Sequence, residues 1–385
     1  MRFLARTIAL VTLFLAVSLP VRAAESLVYF GTYTGPKSQG IYVSRFDGAT
    51  GRLSPPQLAV ATPSPSFLVS HPNGRFVYAI NEVDEFRGEK AGSASVFAVD
   101  PTTGRLSLLS AASTKGTGPC HLSLDKTARH LLVANYGGGS LAVLRIGEDG
   151  RVGPASSFVQ HTGRGPKENQ EAPHAHAIAV DAANRYALAA DLGLDKLLVY
   201  KFDPAAGSLS PTAISFAAAK PGAGPRHFDF DPTGRFVFAL NEMALTLASY
   251  RFDGSAGTLA EVQTISTLPA GVAVTKEMSG AEVRVHPSGR FVYASNRGHD
   301  SIAVLAVDRD KGTVRSVEVV PTGGKTPRNF TLDPDGRHLL VANQGSDNVV
   351  VFDINPETGR LTRTANAVSV GAPVCVTFLS APTSR

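Results

Sequence analysis

One phrase recurs along the chain and restricts its possible folds more than any other feature. It consists of an apolar strand, a turn of the form His/Asp-Pro-x-Gly-Arg, a second apolar strand, and a closing Asn or Asp. Four copies are plain: Leu68–Asn81, Phe228–Asn241, Val283–Asn296 and Phe330–Asn343. A degenerate copy spans Leu122–Asn135, and a sixth, Ile178–Asp191, carries Asp181-Ala-Ala-Asn184-Arg185 at its turn. The copies start roughly 45 to 57 residues apart, which is the period of a unit of four short strands. Proline presets φ at one turn position and glycine tolerates the left-handed one, so each phrase reads as a β-hairpin. A third apolar run follows most hairpins, as in Ser301–Leu305 and Asn348–Phe352, and segments such as Asp100-Pro-Thr-Thr-Gly104 then turn into a fourth strand.

Six four-stranded units are internal, and the termini supply a seventh. Pro373–Phe378 reads as a first strand without partners, while Leu27–Tyr33 and Gly40–Phe46 read as second and third strands without a first. Joining them removes two exposed edges. The expected fold is therefore all-β, a seven-bladed β-propeller closed by pairing of the N- and C-terminal strands in one blade. No composition break interrupts it, so residues 24–385 are assigned to one domain; the absence of tryptophan excludes the Trp-Asp repeat class.

Residues 1–23 read differently. Arg2 and Arg6 precede a run from Ile8 to Val17 that is apolar except for Thr12, and Pro20 and Val21-Arg22-Ala23 follow. This is the three-part pattern of a signal peptide cleaved after Ala23, and the run is shorter than the ~20 residues a membrane span needs. The expected location is periplasmic or secreted, with no membrane attachment after cleavage. Of the net charge of +5, three positive charges lie in this leader. About +2 remains, too little to imply a nucleic-acid partner. Cys120 and Cys375 form neither a disulfide framework nor a C-x-x-C motif; two separate buried thiols are expected over a bridge.

The repeat also fixes where chemistry can lie. If the turns occupy one end of every hairpin, residues just before the first strand and just after the second meet at the other end. In a propeller the first strand is innermost, so these positions ring one mouth of the central channel. They are Cys120-His121 with Asn135-Tyr136, His174 and His176 with Asp191, Arg226-His227 with Asn241-Glu242, Glu282 with Asn296-Arg297, Arg328 with Asn343-Gln344, and Asn81-Glu82. The recurrent asparagines are read as structural, bonding their own turns in left-handed geometry, and Glu82 as a solvated loop acid. Nucleophile-elbow, phosphate-loop and zinc-helix motifs are missing. His174 and His176, two apart on a strand, would share a face, but one pair without a third ligand does not make a metal site, and no metal is expected.

At these same positions the sequence resembles the bacterial 6-phosphogluconolactonase family of seven-bladed propellers, which is related to the fungal carboxy-cis,cis-muconate cyclases. The matching segments are Ala172–Ala177, Ala190–Asp195, Gly222-Ala-Gly-Pro-Arg-His227, Ala239–Glu242, Ala281-Glu282 with Ser295-Asn-Arg297, and Thr326-Pro-Arg328. The resemblance implies a lactone substrate, no cofactor, and a site in which His176, Arg226, Glu242 and Arg297 are catalytic. The family's named substrate is a cytosolic sugar phosphate, whereas this chain carries an export pattern, so the phosphorylation state of the lactone stays open.

The leading expectation is hydrolysis of a sugar-type, anionic lactone by a monomer. Water is deprotonated by His176 or Glu242 while Arg226 and Arg297 stabilise the oxyanion. His174, Asp191, His227, Glu282 and Arg328 are the candidate substrate contacts, Arg328 suiting a carboxylate or phosphate. Two other functions fit the same residues: a muconolactone-forming or -opening lyase, and a non-catalytic binding propeller of the cell envelope.

Overall fold

The computed structural model describes residues 25–380. The expected signal peptide lies outside them. The described chain forms seven antiparallel sheets. Six of these take four consecutive strands, from Phe67–Ser70 through Leu106–Ser113 to Pro327–Leu332 through Leu361–Ser369. In the seventh, Pro373–Phe378 pairs with Ser26–Thr32, Val28 opposite Phe378 and Phe30 opposite Val376, which is the closure expected from the two ends of the chain. Among the described residues the only helical pieces are two 3-10 turns, Glu168–Gln170 and Gln344–Ser346.

The second strand of each blade is almost wholly buried, because both of its faces pack against neighbouring sheets; every residue of Phe76–Asn81, His130–Asn135, Phe236–Asn241 and His338–Asn343 is buried. Such strands read as continuous apolar runs rather than alternating ones. Their aromatic members also tie blades together: the hydroxyls of Tyr29, Tyr78 and Tyr293 donate to the carbonyls of Gly104, Gly150 and Gly359 in the outer turns of the next blade.

The hairpin turns satisfy themselves. In the Asp copies the carboxylate accepts the amides across the turn: Asp231 from Phe236, Asp333 from Arg337 and His338, Asp181 from Arg185 and Tyr186, Asp125 from Arg129 and His130. The fourth turn position is left-handed in every copy, at Gly74, Gly234, Gly289 and Gly336, and also where Ala128 and Asn184 replace glycine.

The asparagines closing the second strands are structural, but not in the way their type suggests. None has positive φ; the left-handed residue lies four positions later, at Gly139, Leu245, Asp300 and Asp347. The Asn side chains instead clamp the strand ends to neighbouring segments. The Nδ2 of Asn135 donates to Thr114 O and Ser140 Oγ, that of Asn296 to Thr267 O and Ser301 Oγ, and that of Asn81 to Pro63 O. The reason is burial: an amide at these closed strand ends must find long-range partners.

Candidate active site at the channel mouth

At the mouth, most innermost strands begin with an irregularity. Next to Phe236–Asn241, His227 stands opposite Leu240 and Pro225 opposite Asn241, so Arg226 faces no partner residue. The same skip leaves Cys120, His176, Arg328 and Val374 unopposed in their blades, and a wider one isolates Ala281 and Glu282. A bulge bends the strand and re-aims its extra side chain. Here it turns a repeating strand start into a set of side chains aimed at one mouth.

Arg226 is 2% exposed. Its Nη1 donates to the carbonyl of Ala281 at 2.6 Å, and its Nε lies 2.9 Å from Glu242 Oε2, an ion-pair distance off the line of a hydrogen bond. The other oxygen of Glu242 pairs with Arg297 Nη2 at 3.0 Å, and that nitrogen also donates to Gly280 O. One carboxylate therefore fixes two guanidinium groups. Burial alone would raise the Glu242 carboxyl, but Arg297, Arg226 and Arg328 together outweigh it and hold it below its ordinary range. Burial, with Arg297 and Arg328, brings Arg226 down to about 10, still cationic at neutral pH.

Arg328 completes the ring of charge. Its Nη2 donates to the hydroxyl of Tyr33 at 2.9 Å and its guanidinium lies over the Tyr33 ring; that hydroxyl in turn donates to Glu82 at 2.9 and 3.0 Å. Burial foremost raises the Tyr33 phenol, so it remains a donor. Glu82 is thus half-buried and partnered rather than a solvated loop acid. Tyr136 stacks on His174 at 4.4 Å and meets His176 edge-on at 5.5 Å, and His174 donates from Nδ1 to the Tyr136 carbonyl.

Beneath the arginines lie three imidazoles. His227 is 5.1 Å from His176 and 5.2 Å from His121, ring centre to ring centre. Burial, aided by Arg226, keeps His176 well below the usual imidazole range; burial and His227 do the same to His121, and burial dominates in bringing His227 to about 4. All three are neutral at pH 7. Glu282 lies deeper still, 3.0 Å from His227 Nδ1. Cys120 packs on His176, while Cys375 sits under Leu68; both are free, buried thiols, and burial raises their pKa.

Asp191, an expected substrate contact, is wholly enclosed. Its Oδ1 accepts the amides of His174 and Leu194, and its Oδ2 lies 2.6 Å from His161 Nδ1, whose Nε2 meets the Tyr200 hydroxyl. Fully buried, it braces the mouth and presents no surface to a ligand, a commitment invisible in sequence because His161 lies in a non-repeating loop. The segment bearing His174 also lacks the expected shared face: His176 is the bulged residue, and His174 precedes the strand. Among the described residues no group of three or more His, Cys, Asp or Glu could hold a metal.

Tyr33 escaped sequence-level selection. It follows Thr32 where other blades have a residue after the closing Asn, so the pairing of the terminal strands was the signal that would have found it. Beside Glu242 a groove of about 520 Å³ opens, lined by Lys167 and Asn169 on one side and by Val274, Thr275, Lys276, Met278 and Ser279 on the other. These two loops stand outside the repeat. Toward the turn end the innermost strands line a second space of about 450 Å³, where apolar side chains such as Phe67, Leu122 and Phe228 mix with His121, Asp229, Arg284 and Asp333.

Comparison with known proteins agrees with this architecture. The family model described as a seven-bladed β-propeller lactonase matches residues 27–378. A Bacillus subtilis 6-phosphogluconolactonase is 38% identical over 91% of this chain and 97% of its own, and one from Formosa agariphila is 32% identical over 80% and 86%. The solved structure of a periplasmic gluconolactonase from Pseudomonas aeruginosa superposes with a TM-score of 0.86 at 33% identity, covering 93% of this chain and all of that one. With a family match over nearly the whole described length and relatives of this identity and coverage, the chain belongs to the seven-bladed β-propeller lactonases.

Proposed function

We propose that this lactonase hydrolyses a sugar-type lactone of the 6-phosphogluconolactonase kind at the mouth that carries Arg226, Glu242, Arg297 and Arg328. The observation that carries this reading is the Glu242 carboxylate gripping Arg226 at 2.9 Å and Arg297 at 3.0 Å where the innermost strands converge. Lactone opening builds negative charge on the carbonyl oxygen, and fixed cations aimed at that point stabilise it without reorganising during the reaction. Glu242 is engaged by both guanidinium groups and its basicity is depressed, which suits it to orienting them rather than to taking a proton. The proton of the attacking water then passes to one of the neutral imidazoles beneath, His176 being the one expected from sequence. His174 and Tyr136 offer a ring surface to the substrate. Arg328, steadied by Tyr33 and Glu82, is the cation for a carboxylate or phosphate.

The periplasmic relative is named a gluconolactonase and the Bacillus relative a 6-phosphogluconolactonase, so the family spans both substrates by name. The export pattern of residues 1–23 favours an unphosphorylated lactone and a mature chain beginning at Ala24. The test uses protein recovered from its native host, its first residue read by N-terminal sequencing, assayed on glucono-δ-lactone, its 6-phosphate and a muconolactone. Opening of either aldonolactone above the spontaneous rate is expected. Turnover of the muconolactone alone would make the protein a lyase of the cyclase type, and saturable binding without turnover would make it a binding propeller.

A further inference from the structure

Under the arginine layer lies a buried pair that the reading above does not use as chemistry. Glu282 is 1% exposed and His227 4%. Oε1 of Glu282 accepts from His227 Nδ1 at 3.0 Å and from the Val283 amide, while Oε2 accepts from Asn329 Nδ2 and lies 3.5 Å from Arg284 Nη2. Burial would raise this carboxyl, yet Arg284 and His227 hold it down to about 2, so it is ionised at neutral pH. A carboxylate only accepts hydrogen bonds. Nδ1 of His227 therefore carries the ring proton, and Nε2 is left with its lone pair.

That second nitrogen is buried and has no partner in the protein. Buried polar atoms without partners are rare and point to a water or ligand. His227 lines a cavity of about 10 Å³, together with Arg226, Arg328, Glu82, Cys120 and Asn329. This is room for about one water molecule. Arg226, Arg328, the Glu82 carboxylate and a histidine with one unpartnered nitrogen border this water-sized space, a set of groups that can polarise a water and take its proton. His176, by contrast, does not line this cavity; its Nδ1 packs on Cys120 Sγ at 3.7 Å.

We propose that the Glu282–His227 pair is the general base of this site, with His227 Nε2 taking the proton from a water held in the small cavity and Glu282 steadying the imidazolium that forms. This rests on the lactonase reading and deepens it. The water oxygen bonds to the lactone carbonyl carbon as its proton moves to Nε2, and the carbonyl π pair becomes the oxyanion facing the guanidinium groups. Collapse of that intermediate breaks the bond from the carbonyl carbon to the ring oxygen. The ring oxygen keeps the electron pair and takes the proton back from Nε2, leaving the hydroxy acid and a neutral imidazole. His176 then contacts substrate beside Tyr136. Nothing but water is consumed.

The test compares His227→Asn, Glu282→Gln and His176→Asn on whichever aldonolactone the native protein opens. For His227→Asn, kcat is expected to fall by roughly two to four orders of magnitude, the usual worth of a positioned base, with KM within threefold. Glu282→Gln should show the same split to a smaller degree, and His176→Asn should act more on KM than on kcat. A His227→Asn enzyme with kcat within threefold of native, or a larger kcat loss in His176→Asn, overturns the proposal. Should the variants not fold, ¹⁵N-histidine spectra of the native protein at pH 7 decide it. His227 must show an unprotonated Nε2 and a protonated Nδ1, and the opposite tautomer or a cation overturns it. A native protein that opens none of the lactones defeats the lactonase reading itself, whatever the tautomer.

Discussion

Arg226 and Arg235 sit in one hairpin, at its opposite ends, and share nothing but their chemistry. At the turn end, Arg235 is exposed, donates from Nη2 to the Arg309 carbonyl at 2.9 Å, and lies over the Phe236 ring. Arg185 and Arg290 repeat the pattern against Gly254 and Pro356 of the next blade. Around them the turn carboxylates are saturated by backbone amides. At the mouth, Arg226 is buried against a carboxylate that another arginine shares, and a neighbouring histidine has a nitrogen without a partner. The turn end uses its charged residues mainly to complete local structure, whereas the mouth gathers buried arginines and carboxylates from several blades around one point. Buried charge held in this way is what makes the mouth the candidate site.

The mouth exists only in a closed ring, where seven innermost strands converge. Removing residues from Gly371 onward deletes the strand that pairs with Ser26–Thr32, along with the buried Val374, Cys375 and Val376 and the bond from the Val376 amide to Asn329. Two edges open at once, and the largest effect is expected here: loss of soluble protein, or a melting transition lowered by roughly 10 °C or more. A truncated protein that melts at the native temperature would show that the closing strand does not hold the ring.

Most of the architecture was legible because a propeller repeats itself: six turn phrases gave the hairpins, and unpartnered terminal strands gave the closure. The mouth residues followed from topology, Arg226, Glu242, Arg297 and Arg328 among them. What stayed hidden belongs to single-residue geometry. The bulges that re-aim Cys120, His176, Arg226 and Arg328 leave no mark in the apolar pattern, because each falls at the second residue of its strand, where too few positions precede it to show a change of phase. The engagement of Asp191 by His161 and the clamping role of the asparagines depend on partners many residues away. Glu82 looked solvated only because its partner Tyr33 belongs to a blade assembled from both chain ends.

At the mouth, Arg226 is expected to serve the reaction and not merely to brace the fold. Arg226→Ala is expected to lower kcat on the opened lactone by roughly two to three orders of magnitude, the usual loss for a removed oxyanion donor. Burial adds a stability cost, because Glu242 is left with Arg297 alone. A cooperative melt at the assay temperature separates the two effects. If kcat stays within threefold of native while the melting temperature falls, the arginine cluster is a brace like that around Asp191, and the site lies elsewhere on the channel.

At the turn end a substitution is expected to have the smallest effect. Arg235 is exposed, and its contacts are a carbonyl of the neighbouring blade, the Thr233 hydroxyl and the face of Phe236. An exposed cation over a ring is worth about 0.5–1 kcal/mol, and surface substitutions away from special features fall within about 0.5 kcal/mol. Asp231 still accepts the Phe236 amide without Arg235, so the turn keeps its own hydrogen bonds. Arg235→Ala should therefore shift denaturant unfolding by about 1 kcal/mol or less and leave kcat and KM unchanged. A loss of turnover in this variant at unaltered stability would mean that the turn end communicates with the mouth through the hairpin, and the division between a self-satisfied end and a functional end would fail.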